Sequence, residues 1–137
     1  MKIELEKLQH TFCDRPLLIG GKAMEYYGLR EAGADIDFVV SERDHVELRR
    51  RYPSAMKDIH GDIGVCVSGF ELWNQICRFR YDFLSQNAVQ HEGYLVAAVD
   101  KLVFLKAMAM RQPKYMRDIE LLVEYATDVQ YGKRKLP

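Results

Sequence analysis

The sequence predicts an α+β fold, a mixed β-sheet with helices packed on it and a C-terminal helical pair, and three observations carry that reading. An apolar run, Leu17-Leu18-Ile19, enters a Gly20-Gly21 pair and passes into Lys22 to Tyr27, a strand, a turn and a helix in that order. From Ala55 to Ala97 the chain breaks into short alternating or apolar runs around glycine turns, the pattern of paired strands. From Asp100 onward apolar residues recur at helical spacing instead. Helices and strands that are partly segregated along the chain belong to the α+β class.

Taken in order, Lys2 to His10 reads as a short amphipathic helix, with Ile3, Leu5 and Leu8 apolar among charges, although alternation at its start leaves a strand open. Asp14-Arg15-Pro16 breaks it. The strand, glycine turn and helix follow, and Gly28 stops the helix. Asp35-Ile36-Asp37-Phe38-Val39-Val40 is a second strand. Ser41 is a good N-cap with Asp44 three residues on, so Glu42 to Arg51 is helical until Tyr52-Pro53. Ala55 to Ile59 and Ile63 to Val67 are strands around His60-Gly61, and Ser68-Gly69 turns the chain back into Phe70-Glu71-Leu72-Trp73. Alternation in Arg78 to Leu84 favours a strand. Ala88 to His91 and Tyr94 to Ala97 form another hairpin across Glu92-Gly93. Asp100 to Met110 is a helix, and Pro113 opens a last one running to about Tyr125.

The length of 137 residues suits one domain, 1-137, with a single core. Its 20 basic and 20 acidic residues cancel, so no global field draws it to nucleic acid or to an acidic membrane surface. Cys13, Cys66 and Cys77 are odd in number and lack a metal-ligand spacing, which suits reduced thiols in a cytoplasmic protein. Tyr94 to Met110 is the most apolar stretch, but Asp100, Lys101 and Lys106 interrupt it, so no membrane span is expected.

The chemistry concentrates between Leu17 and Val40. Two glycines let the backbone approach a ligand, and a helix start offers N–H groups and partial positive charge, which together suit a phosphate. In a strand Asp35 and Asp37 share one face, about 7 Å apart along the chain. Such carboxylates can converge on two cations roughly 4 Å apart, and hard oxygen ligands suit Mg²⁺ or Mn²⁺.

Gly20, Gly21, Asp35 and Asp37, in this order on a strand, a helix start and a second strand, resemble the signature of the DNA polymerase β-like nucleotidyltransferases. Gly28-Leu29-Arg30 is similar to the segment that precedes the carboxylates in small bacterial members. Many members carry Ser after the first Gly, where this chain has Gly21 followed by Lys22. The resemblance implies a nucleotidyltransferase-like core, an NTP substrate and Mg²⁺ or Mn²⁺, with Asp35 and Asp37 as metal ligands. Gly20, Gly21 and Lys22 would then lie at the nucleotide phosphates. A third carboxylate is expected on a neighbouring strand. Asp58 and Asp62 are candidates, with Asp82 behind them; Asp62 is favoured as third metal ligand and as the group that orients or deprotonates the nucleophile, because Asp62-Ile63-Gly64-Val65 resembles the family's third acidic strand.

His60, between the two candidates, reads as a turn residue. Lys106, Arg111, Lys114 and Arg117 gather positive charge on the C-terminal helices beside Asp118, where they suit a leaving pyrophosphate. Lys106 stands out because it lies inside an apolar helix. Their spacing with Asp100 and Asp118 resembles the helical segment of toxin-type nucleotidyltransferases, in which a Lys and a later Asp belong to the active site. Trp73, Tyr81 and Tyr94 are aromatic candidates for stacking on a base, or for the core.

Two functions are expected from this reading. One is a two-metal enzyme that moves NMP from an NTP, ATP among them, to an acceptor that is a tRNA, a protein or a small molecule. The other is an inactive nucleotide- or protein-binding module of the same fold, with an oligomeric or antitoxin partner.

Overall fold

The computed structural model describes residues 2–109 and 112–135. Among the described residues the chain builds a mixed seven-stranded sheet and five α-helices, and the fold is α+β. β1 (Leu17–Ile19), which is wholly buried, runs into α1 (Gly20–Tyr26). β2 (Ile36–Val39) returns antiparallel to β1, and α2 (Glu42–Arg51) follows. Ser41 caps α2 by accepting the Asp44 backbone N–H, a bond whose loss typically costs about 1 kcal/mol.

β3 (Met56–Ile59), β4 (Asp62–Val67) and β5 (Phe70–Trp73) form an antiparallel meander. β6 (Gln75–Ile76) and β7 (Phe79–Arg80) make a separate two-stranded ribbon, followed by the short α3 (Tyr81–Leu84). β8 (Val89–Gln90) and β9 (Leu95–Val96) form the last hairpin. α4 (Val99–Met108) and α5 (Pro113–Gln130) pack on each other. The sheet order is β3-β4-β5-β2-β1-β9-β8, with β2 parallel to β5 and β1 parallel to β9. Among the described residues no helix is long and apolar enough to cross a membrane.

Strand alternation divides the sheet into two faces. Leu18, Phe38 and Leu72 are register partners, fully buried, and Phe38 stacks on Phe70 at 6.2 Å between centroids. Truncating a buried aromatic of this kind to Ala costs about 3–5 kcal/mol. The opposite face carries Ile19, Asp37, Glu71 and Trp73, so the polar residues of the sheet centre fall on one side.

Two expectations fail. Lys2 to His10 is not a helix: only a 3₁₀ turn forms at Leu5–Leu8, and Gln9 takes φ 50°, which ends it. Leu8 is buried there, and Tyr52 donates its hydroxyl to the Leu8 carbonyl at 2.7 Å, so tertiary contacts rather than a helix hold the segment. Arg78 to Leu84 is not a strand beyond Arg80. The aromatics at 79 and 83 satisfy i, i+4 spacing as well as alternation, and both rings pack on Phe104, at 4.7 and 5.6 Å. The last helix also runs five residues past the expected Tyr125, to Gln130.

Candidate active site

The junction of β1 and α1 fixes one wall of an open cleft of about 490 Å³. Gly20 adopts φ 67°, in the left-handed region, and a Cβ there would stand 2.8 Å from Oδ2 of Asp37. Backbone conformation and close approach therefore both require glycine at this point. Gly21, Asp35 and Asp37 line the same cleft. Lys22 does not line it, its ammonium lying 3.9 Å from Glu25 on the first turns of α1.

Asp35 is exposed, just ahead of β2, whereas Asp37 is partly buried within the strand. Register places Asp37 directly beside Glu71 of the parallel strand β5. Burial, and then the charge of Glu71 and a hydrogen-bonding contact with it, push the Asp37 carboxyl up to about 6, with Asp35 adding to the effect and the Trp73 indole opposing it. Two carboxyl groups held this close in a half-buried place favour a proton or a cation at Asp37. Glu71 in turn receives Lys57, whose ammonium is 3.5 Å away, and Cys66 Sγ lies at 3.7 Å. These groups, with Asp35, Ser68 and Gly69, line a second shallow depression of about 450 Å³ on the far side of the acids.

The opposite wall is basic and comes from α4, α5 and the loop after α1. Lys106 is 7% exposed and forms an ion pair with Asp118 at 2.9 Å. Arg30 grips the same carboxylate with two bonds, Nε to Oδ1 at 2.7 Å and Nη2 to Oδ2 at 2.9 Å. Burial, helped by the charges of Arg30 and Lys114, holds the Lys106 ammonium below its ordinary value although Asp118 opposes the shift, while the two cations hold Asp118 below its ordinary value. Two cations share one carboxylate, so the cluster keeps a net positive charge facing Asp35 and Asp37. Lys114 and Arg117 extend this wall at the rim. Arg111 lies outside the described residues.

Asp62 and Asp58 do not join the cleft. Asp62 is on β4, which puts Cys66 beside Glu71, so Asp62 stands four residues further along, about 13 Å by strand rise. Its carboxylate instead accepts from Gln75 Nε2 at 3.0 Å and from the Cys77 backbone N–H at 2.8 Å, pinning the β6–β7 ribbon. Asp58 accepts the Gly61 N–H at 2.8 Å and closes the β3–β4 turn, in which His60 is exposed at φ 52°. Glu71 occupies the neighbouring-strand position beside the acids. Its signal was the alternation of Phe70-Glu71-Leu72-Trp73, which leaves one carboxylate among apolar strand residues, but only register shows that it faces Asp37. Arg30 stands in the sequence only as the end of the Gly28-Leu29-Arg30 segment, with no role of its own. Tyr81 and Tyr94 lie elsewhere, Tyr81 donating to the Arg15 carbonyl and Tyr94 stacked on His91 at 4.2 Å.

The donor set suits a hard cation. Asp35 and Asp37 offer only oxygens to the cleft that Gly20 borders, with Glu71 beside Asp37 on the next strand, although no group of three or more His, Cys, Asp or Glu side chains among the described residues is drawn closely enough to enclose an ion as it stands. No protein-family model matches the sequence, and no curated protein matches it.

Proposed function

We propose that the protein is a metal-dependent nucleotidyltransferase that moves a nucleoside monophosphate from an NTP to an acceptor hydroxyl or phosphate and releases pyrophosphate. The observation that supports this reading is the opposition of Asp35 and Asp37 to Arg30 and Lys106 across one cleft, with Glu71 beside Asp37 on the next strand, at a glycine whose missing side chain brings the backbone up to Asp37. Asp35 and Asp37 would hold Mg²⁺ or Mn²⁺, and Glu71 would complete the set from the next strand. The ion, when bound, supplies charge stabilisation at the attacking and departing oxygens of an in-line displacement.

The remaining work falls to the chain. Glu71, between the acids and the second depression, accepts the proton of the attacking hydroxyl or holds that hydroxyl in line. The Gly20-Gly21 backbone, Lys106 and Arg30 receive the β and γ phosphates, where the guanidinium fork suits a phosphate and the buried ammonium a developing negative charge. Asp118 opposes the lowering that burial imposes on the Lys106 ammonium. The acceptor, whether tRNA, protein or small molecule, approaches through the depression beside Lys57 and Glu71. Cytoplasmic residence and an antitoxin or oligomeric partner belong to the same reading.

A second reading is a nucleotide-binding module without turnover. It is favoured by the absence, among the described residues, of three donors already closed around an ion. Incubation with Mg²⁺ and α-labelled NTPs separates the two. Label transfer to any acceptor, lost on adding a chelator and lost in Asp37→Asn and Glu71→Gln, supports the enzyme; binding without pyrophosphate release supports the module.

A further inference from the structure

Beside the charged cleft, between the last turn of α4 and the end of the sheet, lies an apolar slot of about 190 Å³. Its walls are Ile19, Trp73, Ile76, Leu102, Leu105 and Tyr115, with Ala109 at its margin, and it shares Gly20, Asp37 and Lys106 with the cleft. Resting on the nucleotide reading above, we propose that this slot takes the nucleobase of the bound triphosphate without reading its edge, so that purine nucleotides bind better than pyrimidine ones and adenine and guanine are barely distinguished.

Size and continuity argue for a base. Pockets that enclose whole drug-sized ligands start at about 300 Å³, so this slot holds one flat ring system while sugar and phosphates lie in the larger cleft. Its mouth is at Asp37 and Lys106, where the phosphates and the ion would sit. The Trp73 ring lies face-on against Gly64, three of its atoms being 3.0 Å from where a Cβ would stand. Gly64 thus seats the indole flat on β4, and it forms a firm wall.

Of the polar groups at the slot, Lys106 is paired with Asp118 and the Trp73 indole interacts with the Asp37 carboxyl. The Tyr115 hydroxyl both donates and accepts, so it suits the amino edge of adenine and the carbonyl edge of guanine alike. Among the described residues no Asn, Gln, Ser or Thr side chain lines it. Discrimination between bases of similar size needs hydrogen-bonding groups that are left unpaired by the wrong one. Without them affinity follows stacking and buried apolar area, and both are larger for purines.

The test is calorimetry of the full chain with Mg²⁺ and, in turn, ATP, GTP, CTP, UTP and inorganic tripolyphosphate. ATP and GTP should bind about tenfold or more tighter than tripolyphosphate, as stacking of one base allows, and within about threefold of each other, with CTP and UTP between. Emission from Trp73, the sole tryptophan, should fall further with ATP or GTP than with tripolyphosphate. Ala109→Phe, which fills the margin of the slot, should lower ATP affinity to that of tripolyphosphate and leave tripolyphosphate binding unchanged. Should that variant not fold, the wild-type series decides alone. Binding of all five compounds within about twofold overturns the base slot while leaving the triphosphate reading in place. A sharp preference for one base overturns it as well. Failure of tripolyphosphate and every NTP to bind removes the nucleotide reading itself.

Discussion

Asp37 and Glu71 stand side by side on adjacent parallel strands, with the Asp37 carboxyl pushed up to about 6 by burial and by its neighbour. Their closeness opposes ionisation of Asp37, although Lys57 stands 3.5 Å from Glu71 on the other side.

Asp37→Asn should therefore stabilise the metal-free protein at neutral pH while abolishing transfer. Removing one of two repelling charges in a half-buried place is worth on the order of 1–2 kcal/mol. Thermal melts in chelator, beside a labelled-transfer assay, check both halves; an unchanged or lowered melting temperature contradicts the first.

The same pair sets a pH dependence. An unfolded Asp releases its proton near pH 4, whereas folded Asp37 holds it up to about 6. Its contribution to stability is thus fully present below about pH 4 and is lost as the pH rises through 6. Asp14, Asp44 and Asp118 are held low and act in the opposite direction, losing stability as the pH falls. Subtracting the melting profile of Asp37→Asn from that of wild type isolates the Asp37 term. Saturating Mg²⁺ should flatten the difference above pH 6, because an ion held there needs both carboxylates ionised.

Glu71 and Asp62 should separate cleanly. Glu71→Gln is expected to lower transfer by 10²-fold or more, the usual weight of a group acting on the attacking proton, with the fold intact. Asp62→Ala should cost about 1–2 kcal/mol through its lost bonds to Gln75 and the Cys77 N–H, with the transfer rate per folded molecule unchanged. Parallel melts and rate measurements decide; the reverse pattern would return the third carboxylate to Asp62.

Asp118 is the counter-charge for two cations, so Asp118→Ala should destabilise by about 3 kcal/mol, as removing one partner of a buried ion pair does. Lys106→Met should be milder, since Arg30 still satisfies Asp118. It should nonetheless weaken tripolyphosphate binding, which calorimetry reads directly. Denaturant unfolding of the two variants gives the order.

Local chemistry was legible where local chemistry decides. The Ser41 cap, the Ser68-Gly69 turn and the Pro113 helix start each need particular residues at particular places and stand as the sequence indicates, while the Gly20-Gly21 pair opens α1 itself instead of forming a turn ahead of it. The common cleft of Gly20, Asp35, Asp37 and Lys106 also followed from motif order and from a cation inside an apolar helix. Strand partnership did not follow. Nothing in residues 35–73 states that β5 rather than the Asp62 end of β4 brings its acid to Asp37, because pairing between strands separated by a helix and a hairpin is settled by packing. Arg30 was obscured for a similar reason: its partner, Asp118, lies far along the chain on α5.

The strand order has a bearing on how the molecule comes into being. β1 lies between β2 and β9, with Leu17 aligned on Val39 to one side and Leu95 on the other. Near the ribosome the early strands therefore wait with one flank unpaired until the β8–β9 hairpin emerges, and pairings so distant along the chain form slowly. Lys106 and Asp118 come later still. A nascent chain would carry Arg30 and the acids long before Lys106 and Asp118, so the basic wall of the cleft would be completed among the last features acquired during synthesis.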